Sequence, residues 1–279
     1  MLKLEFNVNK SGKLLKTLCF NYPEISYSAF SAALRKKDIL VNGKRQSADT
    51  KVEVGDTVVV YISEKSQKQL FEVFFEDENI VVINKSKGIE VCDGENNVQK
   101  ILQQTNQDIK AVHRIDLNTS GLVVFAKNSK AYAELCKQFS LGNIKKFYLA
   151  KVFGQAKQQD DMFAYLKKDA KNGFVKIYNT AENGAEKIHT KYSLVEQTEN
   201  TAILQVELFC GKTHQIRAHL AHVGLPIVGD GKYGNNALNK LANKSKQCLT
   251  SFKIVFNLPS SSFLAYLNQK QFELQKTDL

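Results

Sequence analysis

Apolar positions along the first sixty residues fall into two helical stripes followed by strand-like runs. Leu14, Leu15 and Leu18 predict a short helix over 13–20. Ser26 is suited to cap a second helix, in which Tyr27, Phe30 and Leu34 recur at i, i+3 and i+7. That helix runs out in Arg35-Lys36-Lys37-Asp38, and Ile39-Leu40-Val41 then predicts a strand turned by Asn42-Gly43 toward Lys44. Val52 to Asp56 reads as a further turn and Thr57 to Ile62 as a strand. Glu64 to Gln69 is polar, lacks periodicity and reads as a linker.

Beyond Leu70, strand-like runs recur at 71–75, 80–84, 121–126, 147–153, 202–209 and 252–256. Helical patterns fall between some of them. One spans 129–140, with Ser129 as its expected cap. Another spans 213–223, with Thr213 as cap and Ile216, Leu220 and Val223 as its apolar stripe. The polar stretch 155–200 predicts only a hairpin and a variable loop. Strands and helices do not alternate regularly, so the expected class is α+β, with a mixed, largely antiparallel central sheet and flanking helices. The expected organisation is a small α+β domain over 1–63, a linker over 64–69 and a larger domain over 70–279.

Composition narrows this picture only modestly. No run approaches the roughly 18 apolar residues of a membrane helix. The N-terminus has no continuous apolar segment of the signal-peptide kind, so a cytoplasmic protein with no membrane partner is expected. The five cysteines form no C-x-x-C pair and read as small buried hydrophobes. Thirty-nine basic against 28 acidic residues leave a net charge of +11, which favours a polyanionic partner. Lys, Asn and Gln are all abundant, however, so a solvated lysine-rich surface explains much of the excess. Residues 1–63 carry ten basic and six acidic side chains.

Candidate chemistry concentrates in four segments. His113-Arg114-Ile115-Asp116-Leu117-Asn118-Thr119-Ser120-Gly121 is a dense polar cluster running straight into an apolar strand, where rigid scaffolds place functional groups; on the residues alone, a salt-bridged loop capping the strand is the more common outcome of such a pattern. Gly211-Lys212-Thr213-His214-Gln215-Ile216-Arg217 ends a strand and opens a helix, with His214 and Arg217 on one face. Arg217 is a planar cation suited to a carboxylate. Metal binding by His214, His219 and His222 is disfavoured, because His214 and His219 are five apart and no H-E-x-x-H pattern is present. In Lys146-Phe147-Tyr148-Leu149-Ala150, Tyr148 faces away from Phe147 and Leu149. Pro226 to Gly234 is a glycine-rich shaped loop without the Gly-Lys-Ser/Thr ending of a nucleotide-binding loop.

In order and spacing these segments, with Asp77-Glu78-Asn79-Ile80-Val81-Val82-Ile83-Asn84-Lys85 before them, resemble the RluA-type family of RNA pseudouridine synthases. The resemblance covers nearly all of 70–279. It is carried above all by His-Arg-Ile-Asp with Thr-Ser-Gly beyond it, together with Thr-His-Gln-Ile-Arg. Residues 1–63 are similar to an S4-type RNA-binding domain, through the helix pair and Val41-Asn42-Gly43-Lys44.

The resemblance implies Asp116 as the catalytic aspartate, Tyr148 as the tyrosine that packs on the target base and is implicated in proton removal, and Arg217 as the partner of the aspartate. It implies His113, Arg114, Thr119, Lys212, His214 and Gln215 as substrate-binding. The chain departs from the family pattern at Ser86, where Pro is usual, at Leu117, where a polar residue is common, and at Lys212, where Arg is usual. Lysine keeps the charge and loses the bidentate fork.

The activity implied is isomerisation of uridine in structured RNA, without metal or other cofactor. The expected partner is RNA, large-subunit ribosomal RNA before transfer RNA, bound by a monomer. A carboxylate working in an apolar pocket must stay ionised; burial opposes this and a neighbouring guanidinium favours it. An inactive RNA-binding protein is the competing reading, against which the intact Asp116, Tyr148 and Arg217 stand. A hydrolase using Ser120, His113 and Asp116 is a third, and it lacks a G-x-S-x-G elbow.

Overall fold

The computed structural model describes residues 1–63, 69–169 and 173–275. The linker read at 64–69 lies almost wholly outside the described residues. Two compact units are present, one comprising 1–70 with 94–96 and the other 71–93 with 97–279.

In the first unit, strand β1 (Leu2–Asn7) and the short β2 (Gly12–Lys13) precede helices α1 (Leu14–Asn21) and α2 (Tyr27–Arg35). Strands β3 (Ile39–Val41), β4 (Lys44–Arg45), β5 (Lys51–Val52) and β6 (Thr57–Ile62) follow. The larger sheet runs β1-β6-β3-β4. Ser26 caps α2 by accepting from the Ala29 N–H, as its position before the apolar stripe predicts. Asn42 and Gly43 both take positive φ, the conformation an Asn-Gly hairpin turn requires. Leu14, Leu15, Leu18, Phe30 and Leu34 pack with Val58 and Val60 in one core. Tyr27, grouped with that stripe by spacing, is 59% exposed. Strand β1 was not anticipated; its alternation of Leu2, Leu4 and Phe6 with polar residues pairs it along the whole of β6.

The second unit opens with β7 (Phe71–Glu76), β8 (Ile80–Lys85), α3 (Val98–Gln103), β9 (Lys110–Ala111), β10 (Ser120–Ala126) and α4 (Ser129–Ser140). Then come β11 (Ile144–Phe153), β12 (Gln159–Asp169), β13 (Phe174–Tyr178), β14 (Glu186–Gln197) and β15 (Thr201–Leu208). Helices α5 (Gln215–His222) and α6 (Asn236–Leu241) and strands β16 (Leu249–Phe256) and β17 (Gln271–Glu273) complete it. The strands form one sheet in the order β13-β12-β14-β15-β11-β16-β10-β8-β7, with β9 and β17 added at β10 and β16. Only β10 and β16 pair in parallel; every other described pair in this sheet is antiparallel. The class is therefore the α+β architecture with a mixed, mostly antiparallel sheet that the segment pattern implies.

Several local expectations are corrected. Asn128, not Ser129, caps α4, accepting from the Ala131 N–H. Thr213 does not cap α5; the residue before that helix is His214, held at φ +54° with no side-chain cap. Val223 lies beyond the end of α5 and is 42% exposed, whereas Ile216 and Leu220 are buried. The stretch 155–200 holds three strands, β12 to β14, rather than one hairpin and a loop. Of the cysteines, only Cys248 is buried; the other four are half-buried.

Gly121 is required by packing. It sits at φ +111°, and a Cβ there would lie 2.2 Å from the Ser251 carbonyl oxygen. The Thr-Ser-Gly step thus lets β10 close against β16, and it fixes the loop just before it.

Candidate active site

Three segments meet at the end of the central strands of the second unit. The turn after His113 is closed by the Thr119 N–H donating to the Asp116 carbonyl (3.0 Å), and Ile115 anchors it in the core. Lys85, at the end of β8, holds the turn from beneath. Its side chain is fully buried, and Nζ donates to the carbonyls of Ser86 (2.9 Å), Ile89 (2.8 Å) and Leu117 (3.3 Å). Burial depresses the Lys85 ammonium to about 8, with Glu90 and Asp116 opposing the fall. Thr119 is buried, and its hydroxyl accepts from Gln247 Nε2 (2.6 Å).

Arg217, on α5, spends its guanidinium on two carboxylates. Nη1 donates to Asp116 Oδ2 at 2.8 Å, while Nε and Nη2 form a fork on Asp230 at 2.7 and 3.0 Å. The Tyr233 ring lies 5.2 Å from the guanidinium carbon. Asp230 is itself fixed by the N–H groups of Lys232 (2.8 Å) and Tyr233 (3.1 Å). Burial pushes the Asp230 carboxyl upward, but hydrogen bonds and charge from Arg217 outweigh it and hold the group below the usual carboxylate range. Gly229, at φ +78°, carries this loop against the Lys246 carbonyl, 2.1 Å from where a Cβ would stand. Asn239 clamps the same loop, accepting from the Gly229 N–H and donating to the Asp230 carbonyl.

Asp116 and Arg217 stand between two adjoining hollows. One, of about 340 Å³, is lined by His113, Phe139, Lys146, Tyr148, Leu208 and Lys212 among others. The second, of about 400 Å³, is lined by Glu90, Arg114, Lys232, Ser245 and Gln247 among others. Tyr148 is 5% exposed. Burial, reinforced by the negative charge of Asp116, raises its hydroxyl well above the ordinary phenol, so the ring is held neutral.

The other residues singled out from sequence occupy distinct settings. His113 accepts the Val124 N–H at Nε2 (3.1 Å), which places its proton on Nδ1, a buried nitrogen without a hydrogen-bond partner. Burial and the nearby Lys146 charge depress its imidazole to about 3. His214 meets the Tyr233 hydroxyl through Nδ1 (2.9 Å). Arg114 is exposed and paired with Asp93, and Lys212 is paired with Glu186. Gln215 is buried, and its amide is spent inside the scaffold, donating to His189 O and Thr190 Oγ1 and accepting from the Lys212 N–H. Sequence reasoning assigned no role to Asp230, Lys85 or Lys146. An acid framed by two glycines in a shaped loop was the available signal for Asp230.

The geometry is that of a cleft with a charge-paired carboxylate at its centre, set on a mixed sheet. A human protein described as RNA Pseudouridylate Synthase Domain Containing 1 shares this fold, with TM-score 0.59 over 75% of this chain and 91% of that one, at 20% identity. The model of the RNA pseudouridylate synthase family matches residues 79–222. A ribosomal large subunit pseudouridine synthase C of Rickettsia bellii is 30% identical, covering 82% of this chain and 84% of its own. An uncharacterized RNA pseudouridine synthase of Mycoplasma genitalium is 32% identical over 86% of this chain and 84% of its own. The chain belongs to the RNA pseudouridine synthase family. It is an isomerase that acts on uridine in RNA.

The buried histidines make a prediction about pH. Burial also depresses His219 to about 4, with the His222 charge adding to the fall; its Nδ1 meets Thr190 Oγ1. Unfolded histidines titrate near 6.5. Between that pH and about 4 the unfolded chain binds protons that the folded chain refuses, so stability falls as pH falls through this window. Each such group contributes a slope of up to about 1.4 kcal/mol per pH unit. Denaturant titrations from pH 7.5 to 4.5 should show this decline, and His219→Asn should flatten it. Parallel curves for wild type and variant would refute the assignment.

Proposed function

We propose that the chain converts specific uridines of large-subunit ribosomal RNA to pseudouridine, with Asp116 as its catalytic carboxylate. The observation that carries the catalytic reading is the Arg217 guanidinium at 2.8 Å from Asp116, itself locked by a buried fork on Asp230. The ribosomal reading is supported by the name of the Rickettsia bellii relative and by the basic first unit.

Pseudouridine formation breaks the bond between C1′ and N1, turns the uracil and joins C5 to C1′. C5 loses a proton and N1 gains one, so no electrons or water are consumed. The uridine must leave its stack to reach a carboxylate set within a cleft. Asp116 either attacks the sugar or base, or takes a sugar proton. Tyr148 offers a ring face to the extruded uracil. Its phenol, held neutral by burial, is not a ready proton acceptor. Arg217 acts as counter-charge and positioning residue.

His113, His214 and Thr119 shape the wall of the cleft. Arg114, at the mouth, props the space vacated by the base, and Lys212 meets phosphate by exchanging it for Glu186. Gln215 contributes by holding the loop in shape.

Asp116→Ala should lower single-turnover pseudouridine formation by roughly 10²–10⁴-fold or more while leaving RNA affinity within a few-fold. Near-wild-type conversion by that variant would end the proposal. Pseudouridine maps of RNA from cells with and without the gene should differ in large-subunit ribosomal RNA. A difference confined to transfer RNA would replace the ribosomal reading with the second one.

For the first unit we propose an S4-like RNA-binding role. It is supported by the α1–α2 pair, the Asn42-Gly43 hairpin and the exposed Arg35, Lys36, Lys37 and Lys44. Arg35→Gln with Lys36→Gln should weaken RNA binding and shallow its salt dependence, by roughly 0.7–0.9 in log–log slope for each phosphate no longer neutralised. An unchanged slope would argue against that role.

A further inference from the structure

The face of the β12–β14–β15 region opposite α5 carries an exposed aromatic stack that the reaction does not use. Along β14, Ile188 and Thr190 point inward, and Thr190 meets Gln215 and His219 of α5. The intervening Lys187, His189 and Lys191 therefore point outward. His189 lies opposite Phe163 of β12, and their rings stack at 4.1 Å with 18° between planes. On its other side His189 stacks on Phe209 at 3.9 Å and 5°. The two phenyl rings are 56% and 47% exposed, so three parallel rings cross adjacent strands in contact with solvent.

The charges around this stack are predominantly positive. Lys187 Nζ lies 5.3 Å from the Phe163 ring centre, and Lys191 shares the outward face one step along β14. Lys167 of β12 and Lys176 of β13 pair with each other on the same face. None of these four makes an ion pair with a carboxylate among the described residues. Of the acids on this face, Asp161 is taken by His189 Nε2 at 2.5 Å and Glu207 by Lys145 at 3.4 Å, and Asp169 stands at the far end of β12. Lys191 sits in the ladder between Asp161 and Glu207, so the positive rim is carried chiefly by Lys187, Lys167 and Lys176; exposed rings with such a rim suit a ligand with flat apolar faces and a polyanionic backbone. A protein partner would need acidic groups to match the lysines and would bury the rings without using their flat faces. Phe209 also lies two residues before Gly211, which lines the cleft around Asp116.

We infer that this face is a second RNA-binding surface, on which the outer faces of Phe163 and Phe209 stack unpaired bases of the substrate strand, with His189 as the spacer between them, while Lys187 and Lys191 hold their phosphates. The inference rests on the family's RNA substrate and not on which RNA is modified or on the role of Asp116. Stacking tolerates any base, so the surface adds affinity and register without reading sequence.

The test uses the full chain with a fluorescent single-stranded oligouridine 12-mer and, in parallel, a duplex RNA of equal length. Phe163→Ala with Phe209→Ala should weaken binding of the single strand by about ten-fold or more and leave the duplex nearly unaffected. Phe163→Tyr with Phe209→Tyr should retain binding, since an aromatic face remains. Lys187→Gln with Lys191→Gln should shallow the salt dependence by roughly 0.7 for each phosphate no longer neutralised. At saturating RNA the single-turnover rate of all three should match wild type, which separates this surface from the Asp116 chemistry. Unchanged single-strand affinity and salt slope in both the alanine and lysine variants would overturn the inference. So would a shift in sedimentation from dimer to monomer at unchanged RNA affinity, which would assign the face to self-association.

Discussion

Arg217 sits between two carboxylates, and the arrangement of the cleft follows from how it divides its donors. Two nitrogens are committed to Asp230, whose side chain is completely buried, and a third reaches Asp116. A bidentate fork fixes the plane of a guanidinium as well as its position. A lysine in its place would supply charge without that direction. Removing one partner of a buried pair of this kind costs about 3–5 kcal/mol, because the other charge is left uncompensated. The Asp230 loop is correspondingly over-determined, by Gly229, by the Lys232 and Tyr233 N–H groups and by Asn239.

The same logic applies on the other side of the pair. The turn bearing Asp116 is held by the buried Lys85 ammonium, by the Thr119–Gln247 bond and by the close approach of Gly121 to β16. These restraints come from β8, β10 and the segment before β16, so the carboxylate is referenced to the sheet rather than to a free loop. Enzyme groups held this way lose little entropy on reaching the reactive geometry. The phenol of Tyr148, made neutral by burial, completes the apolar wall beside the charge pair.

Much of this was legible in the residues. Runs such as Ile80–Ile83 and Leu122–Ala126 are buried on both faces and therefore read as strands without ambiguity. Within 155–200 the pattern predicts a hairpin but not the placement of β12 and β14, because only one face of each is buried. Their outward Asp161, Lys167, Lys187 and Lys191 mask the inward Met162, Ala164, Leu166 and Ile188. Asn128 and Ser129 are both good caps, and adjacency alone cannot choose between them. The pairing of Asp116 with Arg217 joins positions 101 apart, and only the family resemblance foretold it. Asp230 was out of reach, since an acid in a glycine-rich loop has no marked partner until the fold supplies one. His214 shows the converse: spacing placed it on a helical face, whereas its left-handed backbone puts it before the helix.

The central claim is that Asp230 works through Arg217 to place and charge-balance Asp116. It is tested most directly by measuring the single-turnover rate of Asp230→Asn at saturating RNA, alongside its RNA dissociation constant. Asparagine keeps the shape of the side chain and removes its charge. If the account is right, the rate falls by about a hundred-fold or more while affinity stays within a few-fold, a loss confined to the chemical step. A folded Asp230→Asn enzyme that turns over at the wild-type rate would contradict it.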